Sequence, residues 1–245
     1  MTVAVKNDIL IDKTVPDINQ GRLIKSKTRV KTHGEVFTPS WMVEKMVDLV
    51  DEETKDIYKT FLEPAAGNGN FLLEILSRKL NAVVQQYPRK QWLSRSLFAL
   101  ASIYGIEILK DNLYEAREAM MNKFITFHLE MGTQVGYKSD WYKAARYIIH
   151  QNIIWGDTLK KQRPDGGEMI FNEWQPVSNS TSKVNRFPFT FSSLFDTDKQ
   201  DGDFTPPGYT LLTLFDIEDD PMAKQDKILI YKTVDIKCVY KEVKI

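Results

Sequence analysis

The stretch FLEPAAGNGNFLLEIL, residues 61–76, places a turn of small residues between an apolar run that predicts a strand and an apolar run that predicts a helix. A glycine-containing turn lets backbone N–H groups approach a ligand, and the following helix directs the positive end of its dipole towards it. Similar turns also close many strand–helix junctions for packing reasons alone. A bound cofactor is therefore the first hypothesis for this turn, and packing is the alternative.

Short apolar runs alternate with helical patterns around this stretch. Further strands are predicted in IYGIEI (103–108), NIIWGD (152–157) and EMIFNEW (168–174). Apolar residues at helical spacing predict helices in residues 40–53, 70–87, 110–131 and 140–150. The alternation is typical of βαβ units. The predicted fold class is α/β, with a mostly parallel sheet, helices on both faces and a short β-rich C-terminal segment.

Three of the four predicted strands end in a carboxylate. These residues are Glu63, Glu107 and Asp157, whereas the fourth strand ends in Asn172–Trp174. In parallel sheets ligands bind beyond the carboxyl ends of the strands, where a carboxylate accepts hydrogen bonds from ribose hydroxyls. Asp157 could similarly accept from an exocyclic amine. The alternatives are a surface position for Glu63 and helix capping by Glu107 and Asp157.

The chain ends differ in character from the middle. We divide the chain into an N-terminal arm (1–30), a core (31–175) and a loop- and strand-rich C-terminal segment (176–245) that completes the sheet. Residues 1–32 carry seven basic and three acidic side chains, which predicts a solvated arm, with phosphate contact as the alternative. Residues 227–245 alternate like two β-strands. In the helix at 40–53 we expect Ser40 as N-cap, with Met42, Met46, Leu49 and Val50 at helical spacing behind it.

Composition excludes several classes of protein. The 33 basic and 33 acidic side chains balance, so no global field towards nucleic acid is expected. One cysteine and three scattered histidines argue against a disulfide framework and against a metal site. No apolar run approaches about 18 residues, and no secretory signal is apparent. We therefore expect a cytoplasmic protein without metal and without membrane association.

Four motifs resemble the S-adenosylmethionine-dependent adenine-N6 DNA methyltransferases of restriction–modification systems. They are GEVFTPSWMVEKMV, FLEPAAGNGNFLLEIL, YGIEILKDNLYEAR and NIIWGDTL, in the order and spacing of that family over about residues 30–160. The resemblance implies a Rossmann-like methyltransferase fold, S-adenosylmethionine as cofactor and double-stranded DNA as substrate. It also implies that residues 31–175 bind the cofactor.

The resemblance assigns the site residues as follows. Gly34, Phe37, Thr38 and Pro39 would lie over the methionine end of the cofactor. The cofactor loop would comprise Glu63, Ala65, Gly67 and Gly69. Glu107 would hold the ribose and Asp157 the adenine amine, as the strand ends already suggest.

The chain departs from the family at the catalytic motif. The family has [DNS]-P-P-[YFW] after the fourth strand, where this chain has NEWQ, residues 172–175. Asn172 could still accept from the target amine and Trp174 could still stack on a flipped base, so both are the catalytic candidates. FTPPGY, residues 204–209, contains a proline pair but is interpreted as a turn.

A second departure is the short region after the fourth strand, which leaves little for reading base edges. Recognition would then be minimal or delegated to a partner or specificity subunit. The set Arg186, Phe187, Phe189 and Phe191 either contacts DNA or packs in strands, and we favour packing.

The expected function is methyl transfer to adenine N6 in DNA, alone or with a partner. The alternative is a cofactor-binding or DNA-binding subunit that has lost methyl transfer. A third interpretation is transfer to a nitrogen of RNA or of a protein glutamine.

Overall fold

The computed structural model describes residues 23–133, 135–195 and 231–242. Most of the predicted arm and the segment containing FTPPGY lie outside the described residues, as do residues 227–230 and 243–245 of the predicted C-terminal strands. No helix within the described ranges is long and apolar enough to cross a membrane. The same ranges contain no cluster of three His, Cys, Asp or Glu side chains suited to a metal ion.

Helices and strands alternate along the described chain. The α-helices are Lys27–His33 (α1), Ser40–Asp48 (α2), Asp51–Lys55 (α3), Asn70–Gln86 (α4), Trp92–Ala101 (α5), Lys110–Glu130 (α6) and Asp140–Asn152 (α7). The 3-10 helices are Arg89–Gln91, Ser192–Phe195 and Ile236–Lys241. The strands are Phe61–Glu63 (β1), Ile103–Glu107 (β2), Ile153–Trp155 (β3), Ile170–Pro176 (β4), Lys183–Thr190 (β5) and Val234–Asp235 (β6).

Strands β1, β2 and β3 form a parallel sheet in that order. Phe61 pairs with Ile103, and Gly105 pairs with Ile153. The carboxyl ends of all three strands therefore meet at one edge, as predicted. Within the described ranges no strand pairs with the outer edge of β1, where Leu62 is 42% exposed.

The prediction that EMIFNEW adds a fourth parallel strand is wrong. β4 pairs antiparallel with β5, with Asn172 opposite Pro188, and β5 pairs antiparallel with β6. An alternating sequence suits either direction of pairing, and the hairpin partner is near in sequence, so its loop closes easily. The hairpin also crosses the expected domain boundary at residue 175.

The two faces of the parallel sheet carry different elements. Gly105 lies against Leu72 of α4 on one face, while the neighbouring Tyr104 contacts Phe171 of β4 on the other. Successive strand residues point to opposite faces, so the antiparallel sheet packs on the side opposite α4. The Tyr104 hydroxyl donates to the carbonyl of Asn172 at 2.8 Å and joins the two sheets.

Helix α4 confirms the prediction from the opening stretch. Leu72, Ile75, Leu76 and Leu80 are buried, and α4 packs against α5 and α6. Their spacing of three and four residues places them on one side of the helix. This helix therefore fixes the glycine turn that precedes it against the core.

Two other expectations are wrong. Helix α2 begins at Ser40 with Pro39 rather than Ser40 as its N-cap residue, and the residues it buries are Val43 and Val47. Residues 236–241 form a 3-10 helix instead of a strand, because the Asp235 side chain accepts from the Lys237 N–H and caps it. That helix packs its apolar residues against α7.

A buried lysine on α4 is hydrogen-bonded to the segment that leads into β1. The Lys79 side chain on α4 is fully buried, and its ammonium donates to the carbonyls of Asp56 and Lys59, both at 2.7 Å. Burial lowers the pKa of Lys79 to about 7, although nearby Asp56 acts in the opposite direction. At neutral pH this side chain is therefore close to losing its proton.

We expect Lys79 to make stability depend on pH. Between pH 7 and about 10.4 the unfolded chain keeps the lysine proton, while the folded chain has released it. The free energy of unfolding should rise with pH by up to about 1.4 kcal/mol per unit in this window. Denaturant unfolding of wild type and Lys79→Met across the window measures the difference in slope. Equal slopes in the two proteins would contradict the assignment.

Candidate functional site

A buried carboxylate lies at the carboxyl end of β2. The Glu107 side chain accepts from the Gly67 N–H at 2.7 Å and from the Leu109 N–H at 2.8 Å. Burial raises the pKa of Glu107, while the N–H donors of Leu109 and Gly67 act in the opposite direction. A hydrogen bond from the Asn112 side chain also lowers the pKa of Glu107, so three donors use three of the roughly four acceptor sites of the carboxylate and leave one for a further donor. Glu107 therefore links the glycine turn to the strand end and can accept a further hydrogen bond.

The turn after β1 is held by backbone contacts. The Ala66 N–H donates to the Ile106 carbonyl at 2.9 Å, and Glu63 accepts from the Ala65 N–H at 3.0 Å. Gly67 and Gly69 have φ of +55° and +97°, a region that glycine adopts without strain. These contacts bring the predicted loop residues to the same edge as Glu107.

The two glycines are required for different reasons. A Cβ at Gly69 would lie 3.1 Å from Cβ and 3.2 Å from Cα of Ala116 on α6. A Cβ at Gly67 would lie 3.5 Å from the ring of Phe37. Close packing on α6 accounts for Gly69, whereas Gly67 faces the segment that precedes α2.

The segment predicted to cover a cofactor lies beside this turn. Phe37 is buried, and the Thr38 carbonyl accepts from the Asn70 side chain at 2.8 Å. Gly34 has φ of +63° and ends α1, with no neighbouring atom within 4 Å of a Cβ. Pro39 precedes α2 directly. The structure therefore brings Phe37 and Thr38 to the glycine turn and the start of α4, while Gly34 and Pro39 are placed only as cap residues of α1 and α2.

The end of β3 joins the same edge. The Asp157 side chain accepts from the Lys160 N–H at 3.1 Å, which is the local capping that the sequence left open. The Thr158 hydroxyl donates to the Pro64 carbonyl at 2.5 Å and connects the loops after β3 and β1. The Trp155 indole donates to the Ile108 carbonyl at 2.9 Å, and the Lys110 ammonium lies 4.1 Å from its ring centroid. The other oxygen, Oδ2, has no backbone donor and lies 3.7 Å from the Lys160 ammonium.

An ion-pair network holds the N-terminal segment at this edge. The sequence interpretation did not predict it. Arg29 donates to both oxygens of Glu35 at 2.6 Å and to Asp111 on α6. Lys25 donates to the Asn112 side chain at 2.7 Å. Described residues of the predicted solvated arm therefore bind carboxylates, and the arm boundary at residue 30 falls inside α1.

Glu35 is the buried member of the network. Its side chain is 6% exposed, and it also accepts from the Asn112 amide at 2.6 Å. Burial alone would raise the pKa of Glu35, but the hydrogen bonds from Arg29 and Asn112 bring it below its usual value. Glu35 lies six residues after Arg29, and the sequence spacing alone did not reveal that the two side chains pair. The network holds the Phe37 segment at the N-terminal end of α6.

The two catalytic candidates lie elsewhere. Asn172 and Trp174 are 1% and 7% exposed. The Asn172 amide donates to Gln151 at 2.9 Å, and the Trp174 indole donates to Asn152 at 2.9 Å. Gln151 and Asn152 end α7 at the amino end of β3, opposite to the edge with Glu107. The structure therefore does not bring these two side chains to the candidate site.

Arg186 completes the packing around Asn172. It is 8% exposed, donates from Nε to the Asn172 side chain at 2.6 Å, and stacks over the Tyr231 ring at 4.0 Å. Phe191 is also buried. Of the two alternatives for the RFPFTF segment, these placements favour packing.

We expect Asn172→Ala to destabilise the fold. Removing the amide leaves the buried Arg186 Nε without its acceptor, which should lower the free energy of unfolding by about 2 kcal/mol. Asn185→Ala on β5 is the matched control, because Asn185 is half-buried and accepts from the exposed Thr233 hydroxyl. Denaturant unfolding of the two variants tests this. Equal, small losses would show that the Asn172 side chain has no structural role.

Comparison with known proteins gives a family for the part of the chain that builds this site. Residues 22–126 match the family N-6 DNA methylase. No curated protein and no solved structure matches the chain. The matched segment contains α1, the Phe37 segment, the glycine turn and Glu107, and it stops before β3 and β4. The match confirms the resemblance that the motifs indicated, and residues 22–126 are similar to the N-6 DNA methylase family.

Proposed function

We propose that the chain binds S-adenosylmethionine at the carboxyl edge of β1, β2 and β3 and acts as the cofactor-binding part of an adenine-N6 DNA methyltransferase. The contact between the buried Glu107 carboxylate and the Gly67 N–H carries the proposal. It joins the small-residue turn to an acceptor at the next strand end, which is the arrangement that a nucleoside requires. The three parallel strands would then be part of a Rossmann-like methyltransferase sheet.

The residues present fit the cofactor's functional groups. Beside its Gly67, Leu109 and Asn112 donors, Glu107 keeps acceptor capacity for a ribose hydroxyl. Asp157 has an oxygen without a backbone donor for the adenine amine. Because Gly67 has no side chain, no Cβ stands between the turn and the ring of Phe37. Along β1, β2 and β3 these groups follow the order methionine end, ribose and adenine that the motifs imply.

The loops around the edge are joined by hydrogen bonds and ion pairs within the chain itself, without a ligand. Thr158 ties the β3 loop to Pro64, and Asn70 ties the start of α4 to Thr38. The ion pairs of Arg29 hold Glu35 near the first turn of α6. A site that is largely formed in advance loses less conformational entropy on binding.

The chemistry needs a methyl donor, a positioned amine and an acceptor for polarising that amine. S-adenosylmethionine supplies an electrophilic methyl group when it is bound. The chain's own residues would bind and orient it through Glu107, Asp157 and the glycine turn. Asn172 and Trp174 have no part in this proposal, because their side chains are engaged with Gln151, Arg186 and Asn152.

The second candidate function is a subunit that binds S-adenosylmethionine without transferring its methyl group unaided. The burial of Asn172 and Trp174 favours it, since the described residues 170–176 offer no amine acceptor at the edge. A partner or specificity subunit would then supply base recognition on double-stranded DNA. Both candidates require the same cofactor site.

Two linked measurements separate the candidates. Isothermal titration calorimetry with S-adenosylmethionine should give one saturable site per chain, and its absence would contradict both. Transfer of a labelled methyl group is then measured on duplex DNA with adenine and on a duplex whose adenines are already N6-methylated. Label in the first duplex alone supports the methyltransferase. Binding without label in either duplex supports the subunit that needs a partner.

A further inference from the structure

The buried amide of Asn112 lies between two cations of the N-terminal segment and two carboxylates. Asn112 is 1% exposed in the first turn of α6. Its Oδ1 accepts from the Lys25 ammonium at 2.7 Å and from Arg29 Nη2 at 3.2 Å. Its Nδ2 donates to Glu35 at 2.6 Å, and its side chain also forms a hydrogen bond with Glu107. One amide therefore joins the N-terminal segment to the carboxylate at the end of β2.

The partners of this amide allow only one orientation. Lysine and arginine side chains only donate hydrogen bonds, and ionised carboxylates only accept them. A flipped Asn112 amide would turn its NH2 group towards two cations and its oxygen towards two carboxylates, so these hydrogen bonds would be lost. Lys25 and Arg29 therefore fix the direction in which the NH2 group donates.

This direction decides how two carboxylates can lie beside each other. Burial is the main cause of the raised pKa of Glu107, and the negative charge of Glu35 adds to it. The hydrogen bond from Asn112 acts in the opposite direction. The two cations of the N-terminal segment also pair with Asp111 of the same helix. Asn112 thus donates to both carboxylates and favours their ionised forms.

A ribose hydroxyl needs an acceptor that is ionised and held in one orientation. The two Glu107 oxygens already accept from the Gly67 and Leu109 N–H groups, one each. We propose that Asn112 is a positioning residue of the candidate site, through which the N-terminal cations keep Glu107 ionised and directed towards a ribose. This inference rests on the proposed function, because it needs a ribose at this edge. It adds that the N-terminal segment controls the acceptor without touching the cofactor.

The first measurement needs no cofactor. The glutamate carboxyl groups of the full chain are isotope-labelled, and Glu107→Gln assigns the Glu107 signal. NMR titration should give a Glu107 pKa about one pH unit higher in Asn112→Ala than in wild type, because a hydrogen bond to a charged group is lost. Glu115→Ala, the matched control, removes another α6 partner of Lys25 and should not raise this pKa. A Glu107 pKa in Asn112→Ala at or below that of wild type would overturn the proposal.

A second variant keeps the buried amide and changes a residue that orients it. Arg29 is partly exposed, so Arg29→Gln should fold. It should raise the Glu107 pKa in the wild-type background and have at most about half that effect in the Asn112→Ala background. A direct field of the cation would act equally in both backgrounds. Equal effects, or no effect of Arg29→Gln alone, would overturn the proposal.

The second measurement links the ionisation of Glu107 to binding. Calorimetric titration with S-adenosylmethionine should show affinity falling with pH as Glu107 takes up a proton, because a neutral acid is a weaker acceptor than a carboxylate. In Asn112→Ala this fall should begin at higher pH, displaced by the same amount as the Glu107 pKa. A purely structural role for Asn112 would lower affinity without displacing the pH profile, and that result would overturn the proposal.

The two measurements separate this inference from the proposed function. If the wild type does not bind S-adenosylmethionine at any pH, the proposed function is wrong, while the NMR titration still decides whether Asn112 sets the ionisation of Glu107. If the wild type binds and the Glu107 pKa does not respond to Asn112→Ala, the cofactor site stands and the positioning role is overturned.

Discussion

Glu107→Ala is expected to weaken S-adenosylmethionine binding by about 100-fold or more. Hydrogen bonds to a charged group contribute roughly 1.5–3 kcal/mol each, and the ribose would lose its acceptor. The variant also removes the acceptor of the Gly67 N–H, so the turn itself loses a contact. Calorimetric titration of wild type and variant measures the change in Kd.

The matched control for this prediction is Glu115→Ala. Glu115 lies on α6, the helix that follows β2, and its carboxylate pairs with Lys25 rather than with the glycine turn. Its removal should leave the Kd within about twofold of wild type, because exposed or half-exposed ion pairs contribute about 1 kcal/mol or less to the fold. If Glu107→Ala binds the cofactor as well as Glu115→Ala does, then Glu107 does not hold the ribose.

Gly69→Ala is expected to lower the free energy of unfolding by about 2–4 kcal/mol. A left-handed conformation costs an L-residue roughly 1–2 kcal/mol, and overpacking adds about 1–3 kcal/mol. The added Cβ would meet both Cβ and backbone Cα of Ala116, and the backbone cannot move without shifting α6. Denaturant unfolding gives the change directly.

Two further variants separate strain from crowding. Gly34→Ala also has positive φ, but no atom lies within 4 Å of the new Cβ, so it should show the strain alone. Ala116→Gly combined with Gly69→Ala removes the Cβ contact and should recover part of the loss, as a double-mutant cycle can measure. Equal losses in Gly34→Ala and Gly69→Ala, with no coupling to Ala116, would contradict close packing as the reason for this glycine.

Local patterns predicted the elements around the site well. The stripe of Leu72, Ile75, Leu76 and Leu80 predicted α4, and three strand ends predicted the carboxyl edge. These predictions succeeded because helical spacing, and the turn residues that separate a strand from a helix, are local properties of a sequence. Glu107 and Gly67 could be placed together because parallel strands end at the same edge.

Strand β4 shows what local patterns do not determine. EMIFNEW has the alternation of a strand, but its partner depends on contacts distant in sequence. The Tyr104 hydroxyl, Asn152 and Arg186 all bind to residues 172–174, and these contacts fix β4 against α7 and β2. The expected position of Asn172 and Trp174 rested on counting strands, and counting does not reveal which sheet a strand joins.

Helix α2 and the N-terminal segment illustrate the same limit. Two apolar sides of α2 have nearly equal character, and contact with α4 selects Val43 and Val47. Lys25 and Arg29 appeared as free basic residues because their partners Asp111 and Asn112 are more than 80 positions away. Charge counts along a chain do not identify ion pairs between distant segments.

The central claim is that S-adenosylmethionine binds at the carboxyl edge of the parallel sheet. Hydrogen–deuterium exchange with and without saturating cofactor tests it most directly. We expect slower exchange in the peptides containing residues 63–70 and 107–112, and unchanged exchange in residues 170–190. Protection confined to residues 170–190, or no protection in residues 63–70 and 107–112, would contradict the claim.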